Sequence, residues 1–205
     1  MKGLEVARTK SLIDGIVTDF LAPVLAEEGF TRAGRTFRRR ADNGDVLVVG
    51  VQRSSGSTGT EAVFYINVAL APLPWMRWMR ETADPSKLRD PRCNEGTVSS
   101  RVRSPRSGDD AWIVRADDAR ESGQSAAAAT RELVRRYLPL LDRSEFLHRL
   151  ETEQELPGFC PDVAMRAILY LDAGRIEQAR HEIDDICAYQ PDSTFVVWAR
   201  QLLGD

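Results

Sequence analysis

The sequence predicts an α+β protein: an antiparallel sheet of about five strands with flanking N-terminal and C-terminal helices, followed by a small helical tail. Three observations carry this expectation. Apolar pairs recur every four residues near the start (Leu12-Ile13, Ile16-Val17, Phe20-Leu21, Val24-Leu25), which makes one face of a helix. Residues 36–71 then hold strand-length apolar runs punctuated by the turn dipeptide Asn43-Gly44. Beyond residue 125 the apolar pattern returns to a helical period.

In the first helix Pro23 predicts a kink or a break, because proline lacks the N–H that the helix needs. Gly29, after Glu27-Glu28, is placed as its C-terminal cap. Thr36–Arg40 reads as a short strand. Asp45–Arg53 is apolar at consecutive positions in its centre, so both of its faces are expected to be covered. Ser54–Thr60 is a polar loop, and Ala62–Ala71 alternates Phe64, Ile66, Val68 and Leu70 onto one face. These three strands form an antiparallel meander. Trp75, Met76, Trp78 and Met79 follow at helical spacing until residues 84–91 break the pattern. Thr97–Ser104 and Ala111–Ala116 are further strands flanking a polar turn at 106–110. Ser125–Leu141 is a helix with Leu133, Val134, Tyr137 and Leu138 as its stripe, and Ser144–Glu153 is a short one.

Leu156-Pro157-Gly158 reads as a linker, dividing the chain into an α+β domain at 1–156 and a helical tail at 157–205. The charge is uneven. Residues 29–54 hold six Arg against two Asp, whereas 144–205 hold five Arg against twelve Asp and Glu. Almost every cation is Arg, which weakens any argument from Arg clusters alone. Three widely spaced cysteines without a CxxC predict buried free thiols, not a disulfide framework or a zinc site. Charges interrupt the first twenty residues, and no later stretch is apolar for long enough to span a bilayer. A cytoplasmic location without membrane partners is therefore expected.

The tail has a repeat-like grammar. With Cys160 as first residue, Ala167 and Tyr170 fall on the packing face of one helix and Gly174 opens a turn. Ala179 and Ile183 pack from the next helix, and Pro191 ends it. This resembles one tetratricopeptide unit, with Arg166 standing where such repeats usually carry Leu. Ser193–Leu203 would be a final helix. The front of the chain resembles a bacterial family catalogued as domain of unknown function 4304. The likeness rests on LAPVLAEEGFTRAGRTFRRR at 21–40, VLVVGVQRS at 46–54 and FYINVAL at 64–70. RVRS at 101–104 and DDAWIV at 109–114 fit the same layout, and the resemblance covers roughly residues 5 to 141. It implies helix, antiparallel sheet and helix, and brings no activity, cofactor or catalytic residue.

Several constellations could carry chemistry. Arg35, Arg38 and Arg40, joined by Arg53, could bind phosphates if they share a strand face; otherwise they are a solvated edge guarded by charge. Gln52 and Asn67 are polar residues in apolar strands. They could orient a ligand over the sheet or satisfy loop backbone, and opposite faces for the two would remove the pocket. Trp75 and Trp78 suit either a partner groove or the core, and Tyr170 and Trp198 are partner-binding candidates on the tail. The two histidines, His148 and His181, lack metal-ligand spacing, and no nucleophile elbow, phosphate loop or dinucleotide fingerprint appears. No catalytic residue, metal or cofactor is assigned.

The expected function is a non-catalytic binding or interaction module. Its tail would dock a protein partner or pair two subunits. The alternatives are a nucleic-acid or phosphate-ligand binder through the Arg strand, and an enzyme with a small-ligand pocket joining Gln52 and Asn67.

Overall fold

The computed structural model describes residues 11–58, 60–82, 90–152 and 154–204. Its first helix, α1, runs over 11–27 and buries Ile13, Ile16, Val17, Leu21 and Leu25. Pro23 does not break it. The turn before it, Ile16–Leu21, is π-helical, and the Ala22 N–H reaches back to the Val17 carbonyl. This wider turn accommodates the proline ring and its missing donor. Gly29 ends the helix at φ 82°, a left-handed conformation that glycine adopts without steric cost.

The sheet comprises β1 (Thr31–Ala33), β2 (Thr36–Arg40), β3 (Val46–Arg53), β4 (Ala62–Ala71), β5 (Val98–Arg101) and β6 (Trp112–Val114). All pairings are antiparallel, in the order β1-β2-β3-β4-β5. β5 and β6 do not pair with one another. Both lie on the same edge of β4, β5 along Asn67–Leu70 and β6 along Ala62–Phe64. They are two halves of one strand, interrupted by the excursion through the polar turn. β1 is a short, wholly exposed strand that the sequence pattern did not reveal.

Register decides the faces. Leu47 lies opposite Leu70, Val49 opposite Val68 and Val51 opposite Ile66. These side chains form the inner face and join the core with α1 and α3 (Ala119–Tyr137). Helix α3 starts six residues before the expected Ser125. Gly123 explains the hidden start, since a Cβ there would lie 2.4 Å from the Phe20 ring of α1. The outer face is covered in part, as the apolar run of β3 implies. Val46 and Val48 are buried on this face, where the 3-10 turn Cys93–Glu95 packs against β3, and α2 (Leu73–Thr82) follows directly on β4.

Beyond α3 come α4 (Arg143–Glu151) and, after the linker, the tail helices α5 (Asp162–Asp172), α6 (Ile176–Tyr189) and α7 (Thr194–Leu203). α5 and α6 form a helical hairpin about Gly174, with Ala167 and Ala179 fully buried between them. Arg166 pairs with Glu182 at 2.7 and 2.9 Å across this hairpin, so its charge is neutralised where an apolar residue was expected. α5 and α7 pack on α2, and one apolar core runs through sheet and tail. A paired charge network reinforces the join. Asp45, fully buried, accepts from the Leu73 N–H at 2.7 Å and from Arg143 Nη2 at 2.7 Å, while Arg143 Nη1 reaches Asp172 at 2.6 Å. The linker is seated as well: Ser99 and Phe159 exchange two backbone hydrogen bonds of 2.9 Å at the outer edge of β5. All three cysteines are free thiols, half-buried where full burial was expected. Among the described residues no helix is long and apolar enough to cross a membrane.

Candidate functional site

Alternation along the strands puts Thr36, Arg38 and Arg40 of β2, Gly50 and Gln52 of β3, Tyr65 and Asn67 of β4, and Ser99 and Arg101 of β5 on the outer face. Gln52 and Asn67 therefore share a face, although they sit on different strands. Asn67 Nδ2 lies 3.5 Å from Gln52 Oε1, and Arg101 Nε donates to Asn67 Oδ1 at 3.3 Å. The Arg101 guanidinium also lies 4.4 Å from the centroid of the Tyr65 ring. These four side chains make one polar row across three strands.

The segment 90–95 walls the row on one side. Two of the predicted phosphate ligands hold it there. Arg38 Nε donates to the Pro91 carbonyl at 2.9 Å, and Arg40 pairs with Asp90. Trp75 Nε1 donates to the Glu95 carbonyl at 3.3 Å from the other end. The Cys93 thiol sits against the sheet and donates to the Asn67 carbonyl at 3.4 Å. It fits because β3 has glycine beneath it: a Cβ on Gly50 would be 3.0 Å from Cys93 Sγ. Burial pushes this thiol up to about 12, against a weaker opposing effect of Arg38. Cys93 is thus a packed wall group and not a nucleophile at neutral pH.

What remains open between wall and row is a cleft of about 920 Å³. Its polar lining includes Gln52, Asn67, Arg92, Asn94, Ser99 and Arg101, with no carboxylate among the described residues that line it. Asp110 stands outside, 3.7 Å from Arg101. A second hollow of about 670 Å³ between 11–20 and the start of α3 is lined by Leu12, Ile16, Phe20 and Ala119 together with Asp19, Arg120 and Gln124, so a carboxylate lies in its wall.

The remaining candidates go elsewhere. Arg35 pairs with Asp14 at 2.7 Å on the α1 side. Arg53 lies opposite Phe64 in register and so belongs to the inner-face parity, apart from Arg38 and Arg40. Trp75 and Trp78 meet edge to face at 4.7 Å, and Trp78 meets Phe195 of α7 at 5.5 Å. Trp198 Nε1 donates to Glu81 of α2 at 2.5 Å. Tyr170 is buried and donates to Glu151 at 3.1 Å, with Arg175 4.6 Å from its ring centroid. These aromatics join tail to sheet domain within the chain. Arg92 and Asn94 sit in a stretch without periodicity, so no local signal marks them. Arg101 carries a signal only as a cation within RVRS at 101–104, which belongs to the family resemblance.

No curated protein and no solved structure matches the chain. The family described as Domain of unknown function (DUF4304) matches residues 21–143. The matched stretch starts within α1, includes the whole sheet with every strand that lines the cleft, and ends where α4 begins. The chain accordingly belongs to the DUF4304 family, and the three tail helices after α4 lie beyond the part that defines it.

Proposed function

We propose that this chain is a non-catalytic binding module whose ligand seat is the outer-face cleft, and that the ligand carries a phosphate or carboxylate group. The observation that carries the reading is the lining itself. Arg92 and Arg101 converge with the amides of Gln52, Asn67 and Asn94 and with no carboxylate, in a chain whose acids outnumber its bases by 31 to 28. Charge-assisted donors next to orienting amides suit an anionic group. Burial keeps the Cys93 thiol in the wall protonated, and the two histidines lie on α4 and α6 and do not line the cleft, which favours binding over catalysis.

The test is a thermal-shift screen of phosphate- and carboxylate-bearing small molecules against the full chain and its Arg92→Ala and Arg101→Ala variants. At least one anion should raise Tm in the parent. Losing a charged hydrogen bond worth about 1.5 kcal/mol should weaken that binding roughly tenfold in each variant. If no anion shifts Tm, or if both variants respond like the parent, the reading is wrong.

A second reading concerns the tetratricopeptide-like tail. Val197 and Leu202 on α7 are 49% and 57% exposed, which supports pairing with a second copy of this chain. Light scattering should then show a dimer that Leu202→Asp converts to monomer; a parent that is monomeric at every concentration refutes it. Deleting the tail would not test this, because Trp78 would lose its cover.

A further inference from the structure

Phe159 is 75% exposed, yet its backbone is among the most firmly held in the linker. It exchanges both backbone hydrogen bonds with Ser99, and the preceding Gly158 is clamped: a Cβ there would lie 2.4 Å from both the Ser99 carbonyl and the Tyr137 hydroxyl. Directly opposed residues of an antiparallel bridge project to the same face. Ser99 opposes Ala69 on one side and Phe159 on the other, so the Phe159 side chain shares the outer face with Ser99, which lines the cleft. A mostly exposed aromatic side chain on a firmly held backbone thus stands beside Ser99, on the face that carries the cationic cleft. Packing does not account for it, since the ring is mostly in water.

Resting on the anion-binding reading above, we infer that the cleft takes a nucleoside phosphate, with its base stacked on Phe159 and its phosphate against Arg101 and Arg92. Ser99 and Arg101 stand two residues apart on one strand, about 7 Å, a gap that a ribose bridges. A rigid aromatic face binds any base by stacking. The amides of Gln52, Asn67 and Asn94 offer donors and acceptors to the sugar and base edges. The volume, about 920 Å³, suits one small ligand. Charge argues against a nucleic-acid strand. Of the outer-face arginines Arg40 is paired with Asp90 and Arg38 Nε is turned onto the Pro91 carbonyl in the wall, which leaves a local cationic site and not a track along a backbone.

Titration calorimetry on the full chain at one salt concentration tests this, with AMP, GMP, CMP, UMP and ribose 5-phosphate as probes. At least one nucleotide should bind about tenfold tighter than ribose 5-phosphate. Phe159→Ala should erase that advantage and leave ribose 5-phosphate binding unchanged, while Phe159→Trp should keep it. The exposure of Phe159 makes unfolding an improbable confounder, and a matching Tm for each variant checks it. Equal binding of nucleotides and ribose 5-phosphate would overturn the stacking inference and leave the anion site standing. Binding of carboxylates alone would overturn the nucleotide class. A single-stranded octanucleotide bound a hundredfold tighter than any mononucleotide would assign the face to nucleic acid instead.

Discussion

Replacing Arg143 with Ala removes the cation that neutralises a fully buried carboxylate. Asp45 has no solvent exposure, and its Oδ1 and Oδ2 receive Arg143 Nη2 at 2.7 Å and Nε at 3.0 Å. The same guanidinium donates to the Asn43 carbonyl at 2.7 Å and to Asp172 at 2.6 Å. Among the described residues the Leu73 N–H, at 2.7 Å, is the other donor on Asp45, and it cannot balance a full charge. Breaking a buried pair from one side costs about 3–5 kcal/mol, because the orphaned charge keeps its desolvation penalty. For a chain of this size, with roughly 2–4 °C per kcal/mol, Tm should fall by about 6–20 °C. Asp172→Asn breaks only the outer pair and should cost about 1 kcal/mol or less. Urea unfolding followed by tryptophan fluorescence reads both, since Trp75, Trp78 and Trp198 lie at the domain–tail join. Adding Asp45→Asn to Arg143→Ala should recover part of the loss. A loss below about 1 kcal/mol for Arg143→Ala, or a double variant that loses the sum of the two, would refute the idea of a charge-compensated join between the β2–β3 turn, α2 and the tail.

Trp78→Ala should cost about 3 kcal/mol and render the linker near Phe159 sensitive to protease, as Phe195 loses its edge-to-face partner; unchanged proteolysis would mean that α7 is held by other contacts. Gly158→Ala should lower stability and expose the linker, because its Cβ meets the Ser99 carbonyl and the Tyr137 hydroxyl at 2.4 Å; hydrogen exchange at the Phe159 amide is the readout. Burial pushes Cys93 and Tyr137 up to about 12 from ordinary values of 9.0 and 10.0. The unfolded chain therefore ionises first, so their contribution is complete below pH 9 and lost as pH rises toward 12. Urea midpoints at pH 8, 10 and 11 should fall in that order, and Cys93→Ala should flatten the slope. At pH 8 the native chain should leave Cys93 unmodified by iodoacetamide while the urea-unfolded chain reacts; prompt labelling of the native thiol would contradict its burial.

The elements themselves were legible because their signals are local. The four-residue recurrence in 12–25 marks α1, the Asn43-Gly44 dipeptide marks the β2–β3 turn, and β4 follows the strand limits that its alternation announces, Ala62–Ala71. Errors arose where a long-range contact overrode a local rule. Pro23 is tolerated by a π-helical turn, and Ser122 and Gly123 lie within α3 because α1 needs a residue without a side chain there. β1 is too short and too exposed to carry an apolar pattern, and it forms a tight hairpin with β2 through Gly34-Arg35. The aromatic cluster at 75–79 could be read as surface or core. Its use as the seat of α7 depended on Phe195 and Trp198, which lie far along the chain.

The sequence by itself determined the α+β class and the antiparallel meander, since strand-length apolar runs and the turn between them are written in consecutive residues, and it marked Gln52 and Asn67 as polar positions, each with a parity within its own strand. It could not say that these parities coincide, because a one-residue slip between β3 and β4 would have put Gln52 and Asn67 on opposite faces. That choice belongs to the tertiary structure. Burying Leu47, Val49 and Val51 against Leu70, Val68 and Ile66 sets the register, and the polar row on the other face follows from it. The same holds for the edge of β5. Phe159 comes beside Ser99 only because the linker after α4 returns to pair with it, a contact between distant segments that no local pattern in either one encodes.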